Sequence, residues 1–132
     1  MEIIPAINCK DWTCVKNRLE QIEELGSPWA HFDVADGQFA PVESWNEPEA
    51  LKTDLRIEAH LMVWDFKREV DRWQKKARRV IVHIETLEQN GMTERKFNRL
   101  GSRDFELGLA VLPETEVQKV FSYLSLVRFV QF

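Results

Sequence analysis

The chain has 132 residues, of which 44% are hydrophobic, which is enough for the core of one ordinary domain and argues against a disordered chain. Its formal net charge of −4 argues against sequence-independent binding of nucleic acid, which requires a basic surface. We therefore expect no nucleic-acid partner. The first residues lack the pattern of a signal peptide, and no apolar run approaches the roughly 20 residues of a membrane span. For these reasons we expect no membrane partner and a cytoplasmic location.

Short β-like runs alternate with amphipathic segments along the whole chain. The first predicted helix begins after Asp11, a typical N-cap residue, and ends at Gly26. Further helices are predicted at 47–51, 66–73, around 97–100, and at 117–124. The predicted strands are 3–7, 29–34, 56–63, 80–85, 105–112 and 126–132. Strands that alternate with helices in this way indicate right-handed βαβ crossovers and a parallel sheet.

Two α/β architectures fit that alternation, a doubly wound sheet and a (β/α) barrel. Residues 8–11, which follow the first predicted strand, contain no glycine-rich phosphate turn of the dinucleotide-binding type. Candidate catalytic groups stand at the ends of several different strands, as they do in barrel enzymes. We therefore favour the barrel.

All three histidines fall near the C-terminal ends of successive predicted strands, and each has a polar or soft partner two residues away. Residues two apart in a strand point to the same face, so each pair is expected to project together. Imidazole and carboxylate groups at one height would build a site that suits zinc, iron, manganese or cobalt. The three pairs are His31 with Asp33, His60 with Met62, and His83 with Glu85.

Two other features have simpler interpretations. Cys9 and Cys14 are the only cysteines, and we interpret them as reduced structural thiols because there is no second pair for a zinc site or a disulfide framework. The basic residues between positions 75 and 79 are interpreted as a solvated helix end near its own dipole rather than as a phosphate-binding patch.

Motifs on five successive predicted strands resemble those of the ribulose-phosphate 3-epimerase family of (β/α)8 barrel enzymes. They are IPAI at 4–7, HFDVADGQFAP at 31–41, AHLMV at 59–63, VHIE at 82–85 and GLAVLPET at 108–115. The resemblance implies an α/β fold of the (β/α)8 TIM-barrel type with parallel strands. Residues 1–132 would then form a single partial domain of about five and a half βα units, strands one to six of the barrel.

The resemblance also implies a reaction, the reversible epimerisation at C3 that converts D-ribulose 5-phosphate into D-xylulose 5-phosphate in pentose phosphate metabolism. It implies that His31, Asp33 and His60 bind a divalent cation, and that Asp33 is also one of two acid/base groups. His31, His60 and Met62 would contact the sugar phosphate substrate. His83 and Glu85 are expected to support the barrel mouth through hydrogen bonds. The simpler alternative is that all these polar residues are only hydrogen-bonded strand ends.

The chain departs from the family pattern at several positions, which indicates a divergent branch. These departures are Ala6 for a serine, Ala35 for a methionine, Val42 for an asparagine, Phe66 for a proline, and Val111-Leu112 for a hydrophobic-asparagine pair. The family's glycine loop, second catalytic aspartate and phosphate site, which follow strand six, have no counterpart here. Since unpaired apolar edges invite association, we expect an incomplete sequence, a truncated product, or a homo-oligomer.

Three functions stay open on these grounds. The first is an epimerase of the ribulose-phosphate type. The second is a non-catalytic truncated remnant, or an interaction scaffold, of the same fold. The third is another metal-assisted activity that uses two histidines and one carboxylate with open coordination positions.

Overall fold

The computed structural model describes residues 2–101 and 104–132, and in this part of the chain six parallel strands form one sheet. Each strand pairs with the next one in sequence, so the order is β1-β2-β3-β4-β5-β6 without the reversal that marks a doubly wound sheet. The strands are β1 (Ala6–Ile7), β2 (Trp29–Ala35), β3 (Arg56–Met62), β4 (Ala77–His83), β5 (Glu106–Ala110) and β6 (Phe129–Gln131). The prediction of an α/β fold with parallel strands is confirmed.

Helices connect the strands. The α-helices are α1 (Trp12–Glu24), α2 (Phe66–Trp73), α3 (Ile84–Gln89) and α4 (Glu94–Gly101), and short 3-10 helices occupy Pro48–Ala50 and Val117–Tyr123. The Asp11 side chain accepts a hydrogen bond from the Cys14 N–H at 2.9 Å, as predicted for the N-cap of α1. Gly26 follows this helix with a φ of 70°, a conformation that glycine adopts without steric cost. In the described residues no helix is both long and apolar enough to cross a bilayer.

The hydrophobic core lies between the sheet and the helices. Ala30, Phe32 and Val34 of β2 alternate with His31 and Asp33, and these three apolar residues are almost fully buried. Successive strand residues point to opposite faces. The apolar set therefore packs toward the helices, while the polar set is left on the other face of the sheet.

The structure corrects several predicted element bounds. Strand β4 ends at His83 and α3 begins at Ile84, so Glu85 lies in the first turn of a helix and not in the strand. The Thr86 hydroxyl donates to the His83 carbonyl at 2.8 Å and stabilises this early start. The first strand is shorter than predicted, and one reason is that Pro5 has no N–H for a sheet hydrogen bond.

The helix predicted at 117–124 is present at residues 117–123 as a 3-10 helix, with a hydrogen bond from the Lys119 N–H to the Glu116 carbonyl at 3.1 Å. The last strand is limited to Phe129–Gln131.

The interpretation of the cysteines as free thiols is wrong, because Cys9 and Cys14 form a disulfide. Cys9 follows β1 and Cys14 lies in the first turn of α1. The turn between them brings the two Cα atoms to 5.7 Å, within the usual range for a disulfide.

The basic segment also needs correction, since Arg78 and Arg79 lie in β4 and not at a helix end. The guanidinium of Arg79 donates to Glu106 at 2.9 Å and lies 4.2 Å from the ring centroid of Trp29.

Candidate functional site

Three predicted site residues converge at neighbouring strand ends. The register of β2 and β3 pairs Asp33 with His60, and His31 lies two residues before Asp33 on the same face. The Asp33 Oδ1 is 3.1 Å from the His31 Nε2 and 3.1 Å from the His60 Nδ1. One possible ligand atom from each residue lies within 4.8 Å of the others. The structure thus brings together the three residues that the sequence proposes as ligands.

The donor set of this triad fits a divalent transition-metal ion. Two imidazole nitrogens and one carboxylate oxygen suit zinc, iron, manganese or cobalt, with coordination positions left for a substrate. The charge at the site agrees with this fit. Burial alone lowers the pKa of His31, but hydrogen bonds and charges from Asp33 and Glu58 together raise it to about 9. Two carboxylates that retain a proton on an imidazole this strongly provide an environment that favours a cation.

Glu58 contacts His31 on the side of the ring away from Asp33, and it was not among the predicted site residues. Its Oε1 lies 2.7 Å from the His31 Nδ1, and the two residues are register partners in β2 and β3. A carboxylate in this position fixes the ring so that Nε2 points toward Asp33. Arg79 lies 3.5 Å from Glu58 and holds it in place. The signal for Glu58 was available in the sequence, since it lies two residues before His60 and shares its face.

His83 and Glu85 extend the same site away from the triad. The Nε2 atoms of His60 and His83 are 2.8 Å apart, and the His83 Nδ1 is 3.2 Å from the Glu85 Oε2. The other carboxylate oxygen, Oε1, accepts hydrogen bonds from the Leu112 N–H at 3.0 Å and the Thr115 hydroxyl at 2.6 Å. Burial is the main cause that lowers the pKa of His83, to about 4. His83 is therefore neutral at physiological pH.

A pocket of about 320 Å³ opens beside this row of side chains. His60 and His83 form part of its wall, and Met62, Phe39 and Leu112 line it as well. The ring of Phe39 lies 4.6 Å from that of His83, so an aromatic side chain covers this imidazole. Small-molecule sites commonly combine such apolar walls with a few polar groups. The predicted contact between Met62 and a substrate stays a prediction.

Comparisons with known proteins identify the family of this chain. The model of the ribulose-phosphate 3 epimerase family matches residues 2–132. This chain belongs to the ribulose-phosphate 3-epimerase family. A ribulose-phosphate 3-epimerase of Chlamydia trachomatis is 30% identical over 129 residues, which cover 94% of this chain and 54% of the relative. Its Bacillus subtilis counterpart is 27% identical, covering 96% of this chain and 61% of the relative. The cytoplasmic isoform of Oryza sativa subsp. japonica is 26% identical, covering 91% of this chain and 54% of the relative.

Membership of the ribulose-phosphate 3-epimerase family confirms the resemblance carried by the strand motifs. The family has the TIM-barrel type of fold, and the consecutive order of the parallel strands is the order of such a barrel. The chain spans about half the length of the curated relatives it matches.

The shifted pKa values of His31 and His83 determine how the stability of the metal-free protein depends on pH. Between about pH 6.5 and 9 the folded chain keeps the His31 proton and the unfolded chain loses it, so this stabilisation, roughly 3 kcal/mol, disappears as the pH rises. Below pH 6.5 His83 becomes protonated in the unfolded chain, whereas in the folded chain it stays neutral down to about pH 4. Stability therefore also falls on the acid side.

We expect maximal stability of the metal-free protein near pH 6.5. Urea unfolding in EDTA across this pH range measures it. The variant His31→Gln should lose the decline on the alkaline side, and an unchanged decline would contradict the assignment to His31.

Proposed function

We propose that this protein is an isomerase of the ribulose-phosphate 3-epimerase type, which interconverts D-ribulose 5-phosphate and D-xylulose 5-phosphate by proton transfer at C3. In this proposal His31, Asp33 and His60 hold a divalent cation, zinc, iron, manganese or cobalt. The main support for the proposal is that one ligand atom from each of these three side chains lies within 4.8 Å of the others, near neighbouring strand ends. Family membership over residues 2–132 supports it.

Asp33 is the proposed acid/base group on one face of the sugar. The hydrogen bond and the charge of His31 hold the pKa of Asp33 well below its usual range despite burial, so this side chain is a carboxylate at neutral pH. Among the described residues, the close contacts of Asp33 with His31 and His60 involve Oδ1, which leaves Oδ2 to take up and return the C3 proton. A cation held by the triad would supply positive charge to oxygen atoms of the substrate.

The pocket walls have a second part in the proposal. Phe39, Met62 and Leu112 exclude water from the face of the sugar, while His60 marks the polar end of the pocket. The proposed substrate class is therefore a small sugar phosphate whose reacting carbon lies near His60 and Asp33.

Two further properties belong to the same proposal. A cytoplasmic location is supported by the rice relative, whose name states one. Self-association into a homo-oligomer is supported by the exposure of Phe121, Leu124 and Phe132, which are at least half exposed.

The proposal is tested by an epimerisation assay in deuterium oxide, with and without EDTA. We expect about one bound ion per chain, incorporation of deuterium at C3, loss of both after chelation, and recovery when a divalent ion is restored. A bound ion without deuterium exchange would instead support another metal-assisted activity. The absence of both a bound ion and deuterium exchange would support an interaction scaffold.

A further inference from the structure

We propose that Glu85 and His83 are positioning residues that fix the tautomer of His60, so that its Nδ1 faces the triad as a lone pair ready to bind a cation. This inference rests on the proposed metal site. It concerns residues that touch neither the cation nor the reacting carbon in that proposal.

Glu85 faces His83 with a carboxylate oxygen that can only accept a hydrogen bond. Its Oε1 accepts from the Leu112 N–H and the Thr115 hydroxyl, and its Oε2 lies 3.2 Å from the His83 Nδ1. An ionised carboxylate has no hydrogen to donate. The His83 Nδ1 must therefore carry the hydrogen of this contact.

The position of the hydrogen on His83 determines the position of the hydrogen on His60. His83 is only 4% exposed and lies against Phe39, surroundings that disfavour an imidazolium. A neutral His83 with its hydrogen on Nδ1 presents Nε2 as an acceptor. The His60 Nε2, 2.8 Å away, must then be the donor, which leaves the His60 Nδ1 without a hydrogen.

Asp33, His60, His83 and Glu85 form a row of side chains in contact, and this row has too few hydrogens for its contacts. Asp33, His60, His83 and Glu85 make three successive contacts, at 3.1, 2.8 and 3.2 Å. Two neutral imidazoles supply only two hydrogens, and the carboxylates at either end supply none. One contact therefore brings two acceptors together unless a positive charge lies between them.

The missing hydrogen falls at the Asp33 end of the row. Glu85 faces a buried ring that already meets its need for a donor, whereas the contact between Asp33 and His60 also has the His31 Nε2 beside it. Glu58 orients His31 in the same sense, because it faces the His31 Nδ1 at 2.7 Å and directs Nε2 inward. Glu58 acts on its histidine directly, and Glu85 acts through His83.

The variant Glu85→Gln tests the inference because it reverses the direction of the hydrogen bonds from residue 85 through His83 to His60. The Leu112 N–H and the Thr115 hydroxyl hold the glutamine carbonyl on the Oε1 side, so the amide NH₂ faces the His83 Nδ1. The hydrogen of His83 then moves to Nε2, and that of His60 moves to Nδ1, where it blocks a cation. We expect the affinity for Zn²⁺ to fall by about 10- to 100-fold.

Two measurements are made, Zn²⁺ titration calorimetry and ¹⁵N NMR of the imidazole nitrogens in EDTA-treated protein at neutral pH. In the wild type we expect His60 to carry its hydrogen on Nε2 and His83 on Nδ1, and both assignments to invert in Glu85→Gln. The control is Glu88→Gln on the same helix, where an exposed carboxylate pairs with Lys119 at 2.9 Å, and where we expect neither change.

A hydrogen on the His60 Nδ1 in the wild type would overturn the inference, and this result does not depend on the folding of any variant. Equal Zn²⁺ affinity of Glu85→Gln and Glu88→Gln would overturn it as well. A wild type that binds no Zn²⁺ but shows the expected tautomers would refute the proposed function and leave the positioning of His60 by Glu85 supported.

Discussion

Replacing Asp33 with asparagine is expected to reduce epimerisation by about 10²- to 10⁴-fold, the usual effect of losing a general acid/base group. The asparagine side chain has the shape of the carboxylate, and its amide oxygen can still accept from the His31 Nε2, which lies 3.1 Å from the Asp33 Oδ1, so the fold should be retained. An amide cannot take up the C3 proton, and it carries no charge to hold a cation. We therefore expect the affinity for Zn²⁺ to fall together with the activity.

The matched control for Asp33→Asn is Asp54→Asn, which removes a carboxylate that is exposed and lies before β3, at the opposite end of the sheet. Activity, bound metal and circular dichroism of both variants are measured beside the wild type. Asp54→Asn should match the wild type in all three. If Asp33→Asn kept its deuterium exchange at C3, the role of Asp33 in proton transfer would be refuted.

Alternation along single strands made the triad predictable from the sequence. His31 and Asp33 alternate with the apolar residues of β2, and His60 holds the equivalent position in β3. Side chains two apart share a face whatever the rest of the fold does. A sequence pattern of this kind therefore locates residues that are fixed by one strand and its neighbour.

Contacts that depend on tertiary structure were not predictable in the same way. The register of β3 and β4 shifts between Ile57 and Glu58, and His60 pairs with Ile81 rather than with His83. The contact between His60 and His83 is a diagonal one, and no single-strand pattern specifies it. Glu85 meets His83 from the first turn of a helix that begins at Ile84, and the Thr86 hydroxyl stabilises this start by donating to the His83 carbonyl.

The disulfide shows the same limit at shorter range. Whether Cys9 and Cys14 can bond depends on the Cα distance across the turn between β1 and α1, which is 5.7 Å. Their spacing in sequence does not determine that distance. Arg79 was misassigned for a related reason, since the position where α2 gives way to β4 decides whether it faces solvent or Glu58.

Replacing Trp73 with alanine is expected to lower the free energy of unfolding by about 3 to 5 kcal/mol, the usual cost of removing a large buried aromatic side chain. The Trp73 side chain is fully buried, and its ring centroid lies 5.4 Å from that of Phe32 and 6.4 Å from that of Trp45. Its indole N–H donates to the Asn46 Oδ1 at 2.8 Å. Since domains are stable by only about 5 to 15 kcal/mol, this loss should be evident in urea unfolding.

Two further variants separate the causes of that loss. Trp73→Phe keeps most of the ring but removes the donor to Asn46, whose amide also donates to Glu69 at 2.9 Å, and should cost about 1 to 3 kcal/mol. Trp12→Ala removes the same residue type at a position 41% exposed and should cost less than either. Equal losses for Trp73→Ala and Trp12→Ala would contradict the packing argument. Because Phe32 points to the helices and its neighbours His31 and Asp33 to the other face, Trp73→Phe should lose stability while the folded protein keeps its affinity for Zn²⁺.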